Sequence, residues 1–161
     1  MTQFAELLRI LASGGVEFIL AGGVAATAHG SPRSTLDLDI IYSRHPQNLQ
    51  RLVGALSPWH PYLRGAPPGL PFRLDVETLG AGLNFTLTTD LGWIDLFGEI
   101  AGGGSYEDLL EHSLVIEAFG VSCRVLDIDT LIRTKKLAGR PKDFEAIAEL
   151  GVLRRRSQPP R

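Results

Sequence analysis

Hydrophobic and polar positions alternate along this chain in two rhythms, and the changes between them mark its elements. Phe4, Leu7, Leu8 and Leu11 recur at helical spacing in "MTQFAELLRILASGG", so the pattern predicts an amphipathic helix that stops at Gly14-Gly15. "VEFILA", residues 16–21, reads as a short buried strand, and Gly22-Gly23 then leads into "VAATAHG", about two helical turns of small residues. "TLDLDIIY", residues 35–42, alternates at period two and ends apolar, as a strand does. Pro46 opens a helix with Leu49, Leu52, Val53 and Leu56 along one side. Residues 58–72 hold much of the proline and no period, which predicts a long loop. "RLDVET" is expected as a strand, and "LNFTLTTDLGWIDLFGEI" as a hairpin turning at Asp90-Leu91-Gly92. After Gly102-Gly103-Gly104, Ser105 and Asp108 have capping-box spacing. Two strands around Phe119-Gly120 follow, then two helices separated at Gly139-Arg140-Pro141.

Strands and helices interleave without a strict βαβ rhythm. This predicts an α/β (α+β) fold in which helices pack on a mixed sheet. With 161 residues, the chain suits one domain, expected over 1–152, followed by a basic tail over 153–161 ("RRRSQPPR" at its end) expected to be disordered. Hydrophobic residues at 44% and charged residues at 21% are ordinary globular values. A net charge of −2 gives the whole molecule no bias toward nucleic acid or anionic membrane. The single cysteine, Cys123, cannot form an internal disulfide and reads as a packed thiol. No apolar run is long enough to span a bilayer, and Glu6 and Arg9 interrupt the first helix where a signal peptide would be continuous, so a cytoplasmic location is expected.

The chemistry concentrates in "AGGVAATAHGSPRSTLDLDI", residues 21–40. Asp37 and Asp39 fall on one face of a strand, with Leu36, Leu38 and Ile40 expected on the core face. Two carboxylates held this close repel and are costly to desolvate unless a cation lies between them. Their spacing suits a hard divalent ion, and Asp95, flanked by Trp93, Ile94, Leu96 and Phe97, is the best candidate for a third ligand. Asp75 and Asp90 are more easily explained as solvated. Gly22-Gly23, between strand and helix, leaves backbone N–H groups open to a phosphate. Each feature also has a plain reading: a solvated strand face, a tight turn, and, for Lys135, Lys136, Arg140 and Lys142, helix-capping charges. His29 reads as a packing or hydrogen-bonding residue. Trp59, His60 and Tyr62, in the proline-rich loop, could stack a base but more simply serve the loop itself.

Gly22-Gly23, Asp37-Leu38-Asp39 and Asp95 resemble the signature of the nucleotidyltransferase superfamily. More narrowly, "GGVAATAHGSPRSTLDLDI", "GWIDLFGEIAGGGSYEDLLEHS" and "LIRTKKLAGRPKDFEAIAEL" resemble the small bacterial nucleotidyltransferase-like proteins related to abortive-infection and toxin–antitoxin systems, over residues 15–150. The resemblance implies a nucleotidyltransferase-like fold that transfers a nucleoside monophosphate from an NTP to a hydroxyl of tRNA, protein or a small molecule. Mg²⁺ or Mn²⁺ would be held by Asp37, Asp39 and Asp95, with Asp95 also helping to deprotonate the acceptor. Phosphoryl chemistry of the two-metal kind bridges ions about 4 Å apart. Gly22, Gly23, Ser31, Arg33, Thr35 and Lys135 would bind the nucleotide, and a toxin or antitoxin protein would be a partner. In many relatives a second acidic residue stands three positions beyond the one matching Asp143; here that position is Ala146, with Glu145 beside it, so the resemblance does not extend to a role for the last helix in the site. The alternative is a catalytically silent module of the same fold, such as an antitoxin.

Overall fold

A computed structural model describes residues 1–157. The chain runs α1 (Phe4–Ser13), β1 (Phe18–Ala21), α2 (Gly22–Ala28), β2 (Asp37–Tyr42), α3 (Pro46–Leu56), β3 (Tyr62–Leu63), α4 (Val76–Ala81), β4 (Asn84–Thr89) and β5 (Gly92–Phe97). It continues through β6 (Glu99–Ile100), β7 (Gly104–Ser105), α5 (Tyr106–Leu109), β8 (Ser113–Ala118), β9 (Val121–Leu126), α6 (Ile128–Ala138) and α7 (Phe144–Ser157). Seven strands form one mixed sheet in the order β3-β4-β5-β2-β1-β9-β8, and β6 and β7 form a separate small ribbon. β2 runs parallel to β5, and β1 parallel to β9, while β1–β2, β3–β4, β4–β5 and β8–β9 are antiparallel.

Alternation decides which face of the sheet is dry. Leu38 and Ile40 of β2, Leu87 of β4, and Ile94 and Leu96 of β5 are wholly buried, in the same core as Leu7, Leu8 and Leu11 of α1 and Leu52 and Leu56 of α3. Each such side chain contributes roughly 1.5–3 kcal/mol when fully buried. This dry face fixes the register of β2, because a one-residue slip would drive Asp37 and Asp39 into the core and Leu38 and Ile40 out of it. Asp37, Asp39 and Asp95 therefore project from the opposite face.

Three expectations need correction. "RLDVET" is not a strand: Asp75 caps α4, its Oδ1 accepting from the Thr78 backbone N–H at 2.7 Å. A local side-chain bond of that kind sets the helix start, whatever β-propensity Val76 brings. Leu36 does not face the core but is 61% exposed, since β2 begins only at Asp37. The Arg154-Arg155-Arg156 run is not an irregular tail: α7 carries it to Ser157, and Arg154 pairs with Asp129 on α6 at 2.7 Å. The rest of the expected tail, 158–161, lies outside the described residues. The proline-rich loop also contains the edge strand β3. Among the described residues, no helix is long and apolar enough to cross a membrane.

Candidate active site

The register across four strands builds the site. Asp39 lies opposite Asp95 in the β2–β5 pair, Ala21 opposite Asp39 in β1–β2, and Thr86 opposite Asp95 in β4–β5. Opposed residues share a face, so the row Ala21, Asp39, Asp95, Thr86 crosses the sheet on one side, with Asp37 one pleat away. Each of Asp37, Asp39 and Asp95 brings a carboxylate oxygen to a common locus, all within 4.8 Å of one another.

The glycine pair sits against this locus, and close approach explains both residues. Gly22 has φ +60°, and a Cβ there would stand 2.1 Å from Asp39 Oδ2. A Cβ on Gly23 would stand 2.7 Å from that of Thr35. Only glycine lets the start of α2 come this near to β2. Thr35 in turn spans the approach to β2, its hydroxyl 3.4 Å from both the N–H and the carbonyl oxygen of Asp37.

Beside the carboxylates opens a cleft of about 540 Å³, closed on its far side by α6 and α7. The nine residues expected to hold metal or nucleotide all line it: Gly22, Gly23, Ser31, Arg33, Thr35, Asp37, Asp39, Asp95 and Lys135. Arg33 reaches across to α7, donating from Nε to Glu149 and from Nη2 to Glu145, both at 2.8 Å. Lys135 Nζ lies 3.7 Å from Asp143 Oδ1, and Arg140 Nε 2.7 Å from Asp143 Oδ2. Asp143 is a buried carboxylate of the cleft wall.

Elsewhere, His29 Nε2 donates to the Leu126 carbonyl at 2.7 Å, the packing role its setting suggests. His60 pairs with Asp90 at 2.6 Å, and Tyr62 donates to the Pro67 carbonyl and packs edge-on against Phe72, so both serve the loop. Cys123 is a buried free thiol whose pKa burial raises.

The sequence does not single out Arg64, which arrives at the carboxylates from the β3 edge. Its Nη2 donates to Asp95 Oδ1 and to the Leu87 carbonyl, both at 2.7 Å, and its Nη1 lies 3.5 Å from Asp37 Oδ2. The guanidinium lies over the Trp93 ring, 4.6 Å from its centroid. Arg64 is the protein's own cation between paired carboxylates. The one available signal was the charge imbalance of the three acids, and that names no particular partner among the basic residues.

One cation does not balance three acids. Burial, then the charges of Asp95 and Asp37, pushes the Asp39 pKa up to about 7. Burial also raises that of Asp95, against the opposing pull of Arg64. Asp39 Oδ1 is buried with no hydrogen-bond partner among the described residues. An orphaned oxygen within an all-carboxylate donor set fits a hard divalent ion that takes oxygen ligands.

No known protein family and no curated protein matches the chain by sequence. By fold, it is similar to the crystal structure of a "putative nucleotidyltransferase" from Thermotoga maritima, with a TM-score of 0.58 and 14% identity over 92% of this chain and 94% of that one. The chain thus has a nucleotidyltransferase-like fold, with an acidic cluster compatible with a divalent metal.

Proposed function

We propose that this chain is a metal-dependent nucleotidyltransferase, moving a nucleoside monophosphate from an NTP to a hydroxyl acceptor with release of pyrophosphate. The observation that carries the reading is the meeting of Asp37, Asp39 and Asp95 within 4.8 Å beside the Gly22–Gly23 approach, at the edge of a cleft of about 540 Å³. A volume of that order accommodates a compact ligand of nucleotide size.

In this reading Asp37, Asp39 and Asp95 hold Mg²⁺ or Mn²⁺. The bound ion would neutralise charge on the phosphate undergoing substitution. Gly22 and Gly23 let phosphate oxygens approach the backbone, Ser31 and Thr35 offer hydroxyl groups, and Lys135 and Arg33 supply positive charge along the triphosphate. Asp95 accepts the proton of the acceptor hydroxyl. The freed oxygen bonds to the α-phosphorus, the α–β anhydride bond breaks, and pyrophosphate departs. Arg64, donating to Oδ1, holds the plane of the Asp95 carboxylate for that proton transfer.

The sequence resemblance further suggests a cytoplasmic member of a toxin–antitoxin or abortive-infection system, acting on tRNA, protein or a small molecule alongside a protein partner. A second reading, a silent binding module, draws on one observation. Arg33, Lys135 and Arg140 already engage Glu145, Glu149 and Asp143, and Arg64 engages two of the three acids. Incubation with cell extract and NTPs labelled on the α-phosphate separates the two. Label transferred to a macromolecule or metabolite by the wild-type protein, and not by the Asp37→Ala/Asp39→Ala variant, supports the enzyme. No transfer, with an unlabelled stoichiometric partner co-purifying, supports the module.

A further inference from the structure

Arg64 and the Gly22 approach stand on opposite sides of the acids. Along the row of opposed residues, Asp39 neighbours Ala21 at the β1 side, whereas Asp95 neighbours Thr86 of β4. Arg64, whose backbone N–H donates to the Thr86 carbonyl at 3.0 Å, follows β3 beyond β4. A site for two divalent ions needs carboxylate oxygens free on both sides of the cluster. On the β4 side those oxygens are Asp95 Oδ1 and Asp37 Oδ2, and the guanidinium engages both, at 2.7 and 3.5 Å.

This guanidinium is anchored independently of the carboxylates. It donates to the Leu87 carbonyl and lies on the Trp93 ring, and the side chain is only 18% exposed. An arginine tethered by a carbonyl, a ring and its own backbone is not easily displaced by an arriving ion. Asp39, the acid next to β1, is in the reverse situation, for its Oδ1 is buried without a hydrogen-bond partner among the described residues. With Arg64 counted, the three acids retain two negative charges, the charge of one divalent ion.

We propose that Arg64 takes the place of a second metal ion: the site holds one divalent ion, on the Asp39 side, while Arg64 positions Asp95 and Asp37 on the other. This rests on the metal-binding reading above and narrows it to a single ion. Arg64 is a positioning residue, acting through the carboxylates it holds.

The test is a titration of the full chain with Mn²⁺ alone, free ion being read by electron paramagnetic resonance and folding checked by thermal melting. Wild-type protein is expected to saturate at one Mn²⁺ per chain. Arg64→Gln is expected to bind a second Mn²⁺ and to hold the first about tenfold more tightly, because a positive charge a few ångströms from the site has gone. Arg64→Lys, which keeps the charge, is expected to stay at one. A purely structural role predicts the opposite sign, since a loosened site binds metal more weakly. Two ions in the wild-type protein, or one ion with unchanged or weaker affinity in folded Arg64→Gln, overturns the inference. Two ions on the wild-type protein overturn it even if Arg64→Gln does not fold, and Arg64→Lys, if it gains a second ion, does the same. Asp39→Asn separates the levels: if it binds Mn²⁺ as wild type does, the metal site itself fails. If it loses binding while Arg64→Gln behaves as wild type, only the role of Arg64 fails.

Discussion

The two walls of the cleft carry opposite kinds of electrostatic account. On the sheet wall, β2 and β5 bring three carboxylates within 4.8 Å, and one buried oxygen, Asp39 Oδ1, has no partner among the described residues. On the helical wall each cation has its acid: Arg33 has Glu145 and Glu149, and Lys135 and Arg140 share Asp143. The sheet wall sets Arg64 alone against three acids and stays short of positive charge, whereas the helical wall is balanced. A ligand that brings cationic charge gains most at the sheet wall, while its anionic part must compete with carboxylates already in place on α7. Binding in this cleft should therefore be led by metal, with the helical contacts exchanging partners afterwards.

The largest effect that would sharpen this contrast belongs to Asp39. Asp39→Asn removes a charged ligand and leaves an amide beside Gly22, and it should weaken Mn²⁺ binding by about a hundredfold or more, read by equilibrium titration. Affinity within a few-fold of wild type would mean that the sheet wall needs no ion. Next is Asp143→Ala, which strips Lys135 and Arg140 of their buried acid and should cost about 3 kcal/mol in urea unfolding. An unchanged midpoint would show that the helical wall is not balanced through Asp143.

The third prediction concerns pH. The Asp39 pKa is raised from its ordinary 3.8 to about 7, so in that window the folded chain keeps a proton that the unfolded chain has released. Metal-free stability should therefore fall as pH rises from about 4 to about 7 and level off above that, as far as Asp39 governs it. Saturating Mn²⁺ should reverse the trend, because the ion binds the ionised form. Thermal melting across this range, with EDTA and then with Mn²⁺, reads both slopes. The smallest effect is expected from Arg33→Ala, which breaks ion pairs on an exposed side chain and should leave the melting temperature near that of wild type. A large drop would mean that the loop before β2 is fastened to α7 more firmly than those pairs imply.

What the sequence made legible follows from how far each signal reaches along the chain. The strand alternation around Asp37 and Asp39, and the apolar flanks of Asp95, are local patterns, and the parallel register of β2 with β5 turns them into one site. The Gly22-Gly23 break between strand and helix is local in the same way, whereas Ser31, Arg33 and Thr35 entered only through the family resemblance. Arg64 was not legible, because it lies in a proline-rich stretch without periodicity and meets Asp95 thirty-one positions away. "RLDVET" misled because the capping bond from Asp75 competes with strand propensity over only a few residues. The place of Asp143 in the cleft wall is not legible from sequence, because its burial depends on α6 and α7 packing together, which no short stretch displays.

The most direct test is nucleotide binding by the wild-type protein, measured calorimetrically for each of the four ribonucleoside triphosphates in Mn²⁺ and again in EDTA. If the sheet wall requires a cation before it admits a triphosphate, at least one nucleotide binds in Mn²⁺ and that binding disappears in EDTA. Equal affinity under both conditions, or no binding of any of the four with metal present, contradicts the account.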